Sequence, residues 1–445
     1  MFVVTLPASA HNNPEAFALK ANAAGADMLE IRGDLTLDVQ QFNTPLPLLV
    51  SPRGTGSVLL QKFQPTYLDL EEHEHMDLPN GVTMMRSFHD HTRTPSLNDL
   101  KKIARRLMAE KPDILKIATT IRSYEDLSML EKLRASIPKD QKSIILGMGE
   151  RAHLQRMLSP VRDALTYTYV DEGEAAAPGQ ISLSMYKLIL HCRTPKMFGL
   201  LCGLGTRSLS PLIHNTLFGY HAIDAFYCLF PTDDLADAWG NLTAMGIEGF
   251  SVTAPWKEKI IPYLDRLDAT TDVLQSVNTV LRKEKEWIGH NTDVVGFIDG
   301  YPFVPDCRDV VILGSGGVVP AIIHACQQMG IKDIRIFARS DASRQRLHER
   351  FAVHCHTLQD AVKVETDCCI CCITEDIPLP LPIPRGTAHA IDLRYNRSTL
   401  FLEKAAACGF NTHDGRAMLV HQALAQFQLF TEIAPSKFLT SLYGF

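Results

Sequence analysis

The sequence predicts an α/β chain: an N-terminal (β/α)8 TIM barrel followed by two domains, one of them a Rossmann-type nucleotide fold. Three observations lead there. Short apolar runs alternate with helix-period segments over residues 1–191, the pattern of parallel strands joined by helical crossovers. The run VVILGSGGVVPAII at 310–323 ends an apolar strand in glycines and opens a helix. Finally, the first 191 residues contain none of the 11 Cys and none of the 3 Trp, so two halves of different composition meet near 191–196.

At 445 residues the chain is long enough for about three domains, expected at 1–195, at 196–298 with helices of 400–445 packing back, and at 299–399. With 46% hydrophobic and 21% charged residues it buries real cores and is not a disordered chain. A net charge of −6 provides no basic field for a nucleic acid. No run approaches the ~18 apolar residues of a membrane span, and MFVVTLPASA has no basic stretch ahead of its apolar residues. We expect a cytoplasmic protein with reduced thiols and small-molecule partners, no nucleic acid and no membrane. The sequence leaves open whether the chain forms a homo-oligomer.

Eight strands are expected at 2–6, 27–31, 47–50, 66–70, 82–86, 113–118, 143–147 and 165–170. Helices are expected at 14–24, 96–110, 123–136 and 180–190, with those after strands two to four short or missing. Barrel active sites gather at the C-terminal ends of strands. Glu30, Arg32 and Asp34 follow strand two there, Arg53 strand three, Glu71 strand four, and His89 with Asp90 strand five. Lys116 lies in the apolar run DILKIA, where burial lowers an amine's pKa and favours the neutral, nucleophilic form. An alternative for Lys116 is a structural amine paired with a core carboxylate. His89 suits proton transfer near neutral pH, and Glu71 suits holding its tautomer. Arg32, Arg53 and Arg156 make an anion pocket if they share that rim.

The segments EIRGD, SPR, DLE, SFHD, DILKIA, GMGERAHLQR and APGQ, in this order, resemble the type I 3-dehydroquinate dehydratases across nearly all of 1–191. The resemblance implies that Lys116 forms an imine with the C3 ketone of 3-dehydroquinate. His89, assisted by Glu71, then moves the C2 proton and protonates the departing hydroxyl. It also implies substrate contacts for Glu30, Arg32, Arg53, Arg156 and Gln180, and no prosthetic group. Ala176 stands where a hydroxyl side chain is usual.

In the second half, Gly314 suits a tight turn, Gly316 close approach to a pyrophosphate, and Gly317 an open helix N-terminus, with Ser315 and Val318 between and after them. The next strand, DIRIFARS, ends in Arg339 and Ser340 with Arg344 nearby and no acid at its end, which suits a 2′-phosphate and hence NADP. Asp341 keeps NAD open. The motifs SxSP, VTxPxK, VNT, GxNTD, GSGG, DLRYN and GRAMLVHQAL resemble the shikimate dehydrogenases over 198 to about 432. That resemblance implies a catalytic pair, Lys257 and Asp293, and substrate contacts from Ser208, Ser210, Thr253, Asn278, Tyr395 and Gln422. Ser251 replaces the usual Asn before VT, and DCCICCIT replaces a pattern with Asn near Cys371. In the CCICC run, strand alternation sends Cys369 and Cys371 to one face and Cys368 and Cys372 to the other, so they do not converge on a metal. No metal is expected, and IPLPLPIP at 377–384 reads as a loop.

Taken together, the two resemblances imply a bifunctional shikimate-pathway enzyme of chorismate and aromatic amino acid biosynthesis: dehydration of 3-dehydroquinate, then NADPH-dependent reduction of 3-dehydroshikimate. The alternatives are a quinate-preferring dehydrogenase half and a non-enzymatic metabolite sensor.

Overall fold

The computed structural model describes residues 1–36, 38–76, 78–395 and 398–436. Residues 437–445 of the expected C-terminal helical segment lie outside them. The chain forms two compact units, Met1–Glu248 and Gly249–Phe445.

The first unit begins with a curled parallel sheet of strands β1 (Phe2–Thr5), β2 (Met28–Arg32), β3 (Leu48–Ser51), β4 (Tyr67–Glu71), β5 (Thr83–Asp90), β6 (Ile114–Thr120), β7 (Lys142–Met148), β8 (Thr166–Tyr169) and β9 (Ile181–Ser182). Their order is β7-β6-β5-β4-β3-β2-β1-β8-β9. The eight expected strands are all present, and Ile181–Ser182 is a ninth, paired on β8 through Thr168 and Ile181. Among the described residues no ladder joins β7 to β8. Isolated hydrogen bonds link the two ends of the sheet instead: Ala164 N–H donates to Ser143 O (3.0 Å) and Gly149 N–H to Pro178 O (3.1 Å). Strands β2 to β7 also run further than expected. Glu30, Arg32, Glu71, His89 and Asp90 therefore stand on strand ends, where the ladder continues, and only Arg53 and Asp34 follow their strands.

Alternation along the strands separates two layers. Val3, Met28, Leu49, Met85, Ile114, Ala118, Ile144, Leu146, Leu165 and Tyr167 form the inner cluster. Val4, Leu29, Ile31, Val50, Leu68 and Leu70 face outward and meet Phe17, Ala18 and Ala21 of helix Pro14–Ala23. The expected helices form where side chains cap them. Ser96 accepts from Asp99 N–H at Leu97–Ala109, and Ser123 with Asp126 makes a capping box at Tyr124–Arg134. The four-residue helix Gly33–Thr36 and the five-residue helix Val58–Lys62 are the expected short crossovers. Helix His153–Arg162, with Pro160 inside it, was not expected.

This unit continues into parallel strands Lys196–Cys202 and Ala225–Pro231. Asp237 of helix Leu235–Ala244 caps Tyr124–Arg134, accepting from Tyr124 N–H (2.6 Å) and Glu125 N–H (3.0 Å). Tyr124 Oη donates to Pro231 O (3.2 Å), and Gly205 N–H donates to Glu150 (2.8 Å).

In the second unit, strands Thr279–Lys283 and Glu286–His290 form an antiparallel hairpin, and Gly249, Phe250 and Ser251 pair with Leu281, Val280 and Thr279. A six-stranded parallel sheet follows, in the order His354–Thr357, Asp333–Ala338, Asp309–Leu313, Glu365–Cys371, Ile383–Asp392, Asn411–His413. Counted along this sheet alone the order is 3-2-1-4-5-6, the doubly wound arrangement. Cys369 and Cys371 pack with Val311 and Leu313, while Cys368 and Cys372 pack with Val310 and Ile312, as alternation requires. The expected proline loop is shorter than foreseen, because Ile383 and Pro384 already pair with Glu365 and Thr366; a register shift follows between Thr366 and Cys368.

Helix Asp293–Gly300 crosses helix Arg416–Thr431 at Gly296 and Gly300. A Cβ on Gly296 would stand 2.6 Å from Gln422 Cβ and 2.9 Å from its backbone nitrogen. Gly296→Ala should therefore destabilise the second unit by about 1–3 kcal/mol in urea denaturation. Gly240→Ala, in a helix with nothing within 4 Å of the new methyl, should stabilise the first by about 0.5–1 kcal/mol. Equal effects would refute the close helix crossing.

Candidate active sites

Inside the curled sheet the inward positions change from apolar to polar toward the C-terminal strand ends: Met28, Glu30, Arg32 on β2; Tyr67, Asp69, Glu71 on β4; Met85, Ser87, His89 on β5. Ser87 is the register partner of both Glu71 and Lys116. Lys116 is 4% exposed, and its Nζ donates to Asp69 Oδ2 (2.7 Å) and Tyr167 Oη (2.8 Å). Burial lowers its pKa below the ordinary lysine value, although Asp69 opposes this. Asp69 is fully buried; burial alone would raise it, but Lys116 and Arg53 hold it well below the usual carboxylate range.

Arg53, at φ +54° in the turn after β3, crosses the site. It pairs with Glu71 and with Asp69 (3.3 Å) and lies 2.9 Å from His89 Nδ1 and 3.2 Å from Nε2. His89 Nδ1 stands 3.1 Å from Glu71 Oε1. Burial pushes His89 down to about 4, so the imidazole is neutral at pH 7. The hydrogen bond with His89, aided by Arg53, brings Glu71 to about 2. A neutral ring donating Nδ1–H to the Glu71 carboxylate keeps Nε2 as its basic nitrogen.

Glu30 is buried, accepting from Thr5 (2.6 Å) and Ser51 (2.8 Å) hydroxyls. Arg32 grips Asp34 through two hydrogen bonds. Arg156, on helix His153–Arg162, donates Nε–H to Gly147 O at the end of β7 (3.1 Å) and makes no ion pair with the described residues. Burial lowers its pKa. Gln180 Oε1 accepts from Ala176 N–H (2.8 Å). Three buried polar atoms, Asp69 Oδ1, Arg53 Nε and Ser87 Oγ, have no hydrogen-bond partner among the described residues. The sequence reading omitted Asp69 and Tyr167. Their signal was parity: Asp69 lies one pleat below Glu71, and Tyr167 alternates with outward Thr166 and Thr168.

In the first unit, Ser208 Oγ donates to Ser210 Oγ (3.0 Å) at the start of helix Ser210–Tyr220. In the second, Lys257 Nζ donates to Asp293 Oδ2 (2.6 Å) and Asn278 Nδ2 to Asp293 Oδ1 (2.8 Å). Asp293 is the first residue of helix Asp293–Gly300, with its N–H on Asn291 Oδ1 (3.0 Å). Thr253 follows strand Ile247–Val252, and Tyr395, half-buried, follows strand Ile383–Asp392. Gln422 Nε2 donates to Leu419 O within its own helix (3.0 Å).

Gly314 adopts φ +115° at the end of strand Asp309–Leu313. A Cβ on Gly316 would meet only Cys372 O, at 3.9 Å, and one on Gly317 nothing within 4 Å. The turn Gly314–Ser315–Gly316–Gly317 thus leaves room for a phosphate against backbone amides where Val318 caps helix Val319–Gln328. Arg339 is exposed beside Glu375 (3.7 Å), and Ser340 caps helix Asp341–Phe351. Arg344 turns back onto Ala338 O (2.6 Å) and Arg339 O (3.0 Å) and pairs with Asp341. These residues fit a dinucleotide, and the exposed Arg339 guanidinium suits a 2′-phosphate.

Between about pH 6.5 and 4 the unfolded chain binds a proton at His89 that the folded chain does not, so stability falls as pH drops. Going from pH 8 to pH 5 should cost the wild type about 2 kcal/mol more than His89→Asn in urea denaturation. Equal losses would contradict a buried neutral imidazole. Glu71, lowered from 4.5 to about 2, adds a loss of the same sign below about pH 4.5.

The family model for type I 3-dehydroquinase matches residues 57–196, and that for the shikimate dehydrogenase substrate binding domain matches 206–280. The bifunctional 3-dehydroquinate dehydratase/shikimate dehydrogenase of Arabidopsis thaliana is 26% identical over 94% of this chain and 80% of its own. The shikimate dehydrogenase (NADP(+)) of Caldanaerobacter subterraneus is 33% identical over 54% of this chain and 92% of its own. The crystal structure of shikimate dehydrogenase from Aquifex aeolicus shares the fold, with a TM-score of 0.52 and 24% identity over 56% of this chain and 97% of that one. The chain belongs to the shikimate dehydrogenase family, in the bifunctional form whose N-terminal half is a type I 3-dehydroquinase.

Proposed function

We propose that the first half dehydrates 3-dehydroquinate to 3-dehydroshikimate and that the second half reduces this product to shikimate. The observation that carries the reading is the buried amine of Lys116, with its pKa lowered and a neutral His89 on the neighbouring strand. The amine attacks the C3 ketone and water leaves, forming an imine that acidifies the C2 proton. His89 takes that proton through Nε2 while Glu71 steadies the imidazolium. The C1 hydroxyl then departs with the proton from His89, and hydrolysis of the imine frees Lys116. Arg156, buried without an ion pair among the described residues, suits the substrate carboxylate. Arg53 bridges Asp69, Glu71 and His89, and Glu30, Arg32 and Gln180 suit the substrate hydroxyls.

For the reduction, NADPH supplies the hydride. Lys257, held by Asp293, gives a proton to the carbonyl oxygen as it becomes a hydroxyl, and Asn278 keeps the Asp293 carboxylate in place. Ser208 with Ser210 suits a carboxylate, and Thr253, Tyr395 and Gln422 suit substrate hydroxyls. We assign 1–195 to the dehydratase, 196–298 with the C-terminal helices to substrate binding, and 299–399 to the cofactor. We place the protein in the cytoplasm; all eleven cysteines are free, as a reducing compartment favours. Among the described residues no helix is long and apolar enough to cross a membrane.

Incubation with 3-dehydroquinate, followed by NMR, should give dehydroshikimate without NADPH and shikimate with it. Lys116→Ala should lower dehydration by at least about 10³-fold and leave reduction of added dehydroshikimate intact. Borohydride with 3-dehydroquinate should add substrate mass to the Lys116 peptide. Dehydration surviving in Lys116→Ala would refute the imine, and faster turnover of quinate than shikimate would refute the assigned substrate.

A further inference from the structure

We infer that Gln426, with Ser251, is a positioning residue for the reduction: the two head a one-way chain of hydrogen bonds that ends on the Asp293 carboxylate. The inference rests on the reading of Lys257 and Asp293 as the reducing pair. Ser251 and Thr279 are register partners on adjacent antiparallel strands, so their side chains share a face. Helix Arg416–Thr431 brings Gln426 to both of them. Ser251 is also where this chain departs from the dehydrogenase pattern.

The direction of every bond follows from groups that can only accept or only donate. Gln426 approaches the Asn278 backbone carbonyl at 3.3 Å, and a carbonyl only accepts, so that end of the side chain is Nε2. Its Oε1 then faces Ser251, whose hydroxyl must donate (2.8 Å). Gln426 Nε2 also donates to Thr279 Oγ1 (3.1 Å), which leaves the Thr279 proton for Asn278 Oδ1 (2.8 Å). Asn278 Oδ1 takes Thr292 N–H as well (2.7 Å), so its Nδ2 is committed to Asp293 Oδ1 (2.8 Å). Lys257 holds the other carboxylate oxygen.

Ser251, Thr279, Asn278 and Gln426 are all buried, where successive bonds polarise one another and a missing donor is not replaced by water. Without Gln426, the Thr279 hydroxyl is free to turn toward Thr292 Oγ1, 3.5 Å away. Asn278 then loses the donor that strengthens its grip on Asp293, and the Lys257 ammonium is aimed less firmly.

The test uses the full chain, with dehydration of 3-dehydroquinate measured on each preparation as the activity of the other unit. In Gln426→Leu, kcat for dehydroshikimate reduction should fall about tenfold, with KM within twofold and dehydration unchanged. In Gln426→Glu, the protonated acid offers an O–H in place of the lost N–H. Reduction should therefore approach wild type near pH 5.5 and decline as the acid ionises, a limb absent from the wild type. This second variant decides the matter if the leucine variant fails to fold. A Gln426→Leu kcat within twofold of wild type, a loss confined to KM, or a Gln426→Glu profile that tracks wild type overturns the inference. Separately, reduction surviving in Lys257→Ala would overturn the underlying reading, whatever Gln426 does.

Discussion

The buried ion pair between Lys116 and Asp69 is the constraint around which the first unit is organised. Two charges in a sheet interior are costly to desolvate unless each has partners of good geometry. Tyr167 supplies Lys116 with a hydroxyl and a ring face 4.3 Å away, and Arg53 supplies Asp69 with a second cation. The same guanidinium reaches Glu71 and His89, so one buried network orders side chains from strands β4, β5, β6 and β8 and the turn after β3. The parallel register makes this affordable in space, because every second residue enters the interior and apolar positions below close the sheet's other end.

A comparable rule operates in the second unit, where Asp293 is tied from three sides. Its N–H is bound by Asn291, and its two oxygens by Asn278 and Lys257. Beginning a helix at Asp293 directs the carboxylate toward the helix N-terminus, where a negative charge is favoured. Gly296 and Gly300 let that helix approach the one carrying Gln422 and Gln426, so packing and site geometry are coupled. The doubly wound sheet keeps the glycine turn free for a different task, since Gly314 sits at the reversal between strands Asp309–Leu313 and Glu365–Cys371.

Much of this was legible in one dimension. Strand positions followed from apolar runs to within a few residues, and Lys116, His89 and Glu71 stood out in or just past those runs, whereas Lys257 and Asp293 stood out only through the dehydrogenase motifs VTxPxK and GxNTD. Asp69 was equally visible by parity with Glu71, yet an acid beside a leucine in a strand reads as an ordinary solvent-facing residue. Helix His153–Arg162 was obscured by Pro160. The commitment of Arg344 to its own strand end had no local signal, because it depends on where the helix beginning at Asp341 directs that side chain.

The amino-acid order by itself determined the alternation of strand and helix, the sidedness of each strand and the chemical groups available at its ends, since these depend on periods of 2 and 3.6 residues. Which groups meet was decided only by the tertiary structure. The pairing of Lys116 with Asp69 joins residues 47 apart, and that of Gln426 with Asn278 joins residues 148 apart. Such contacts are set by the curl of a sheet and the crossing of helices, and a linear pattern carries no record of either.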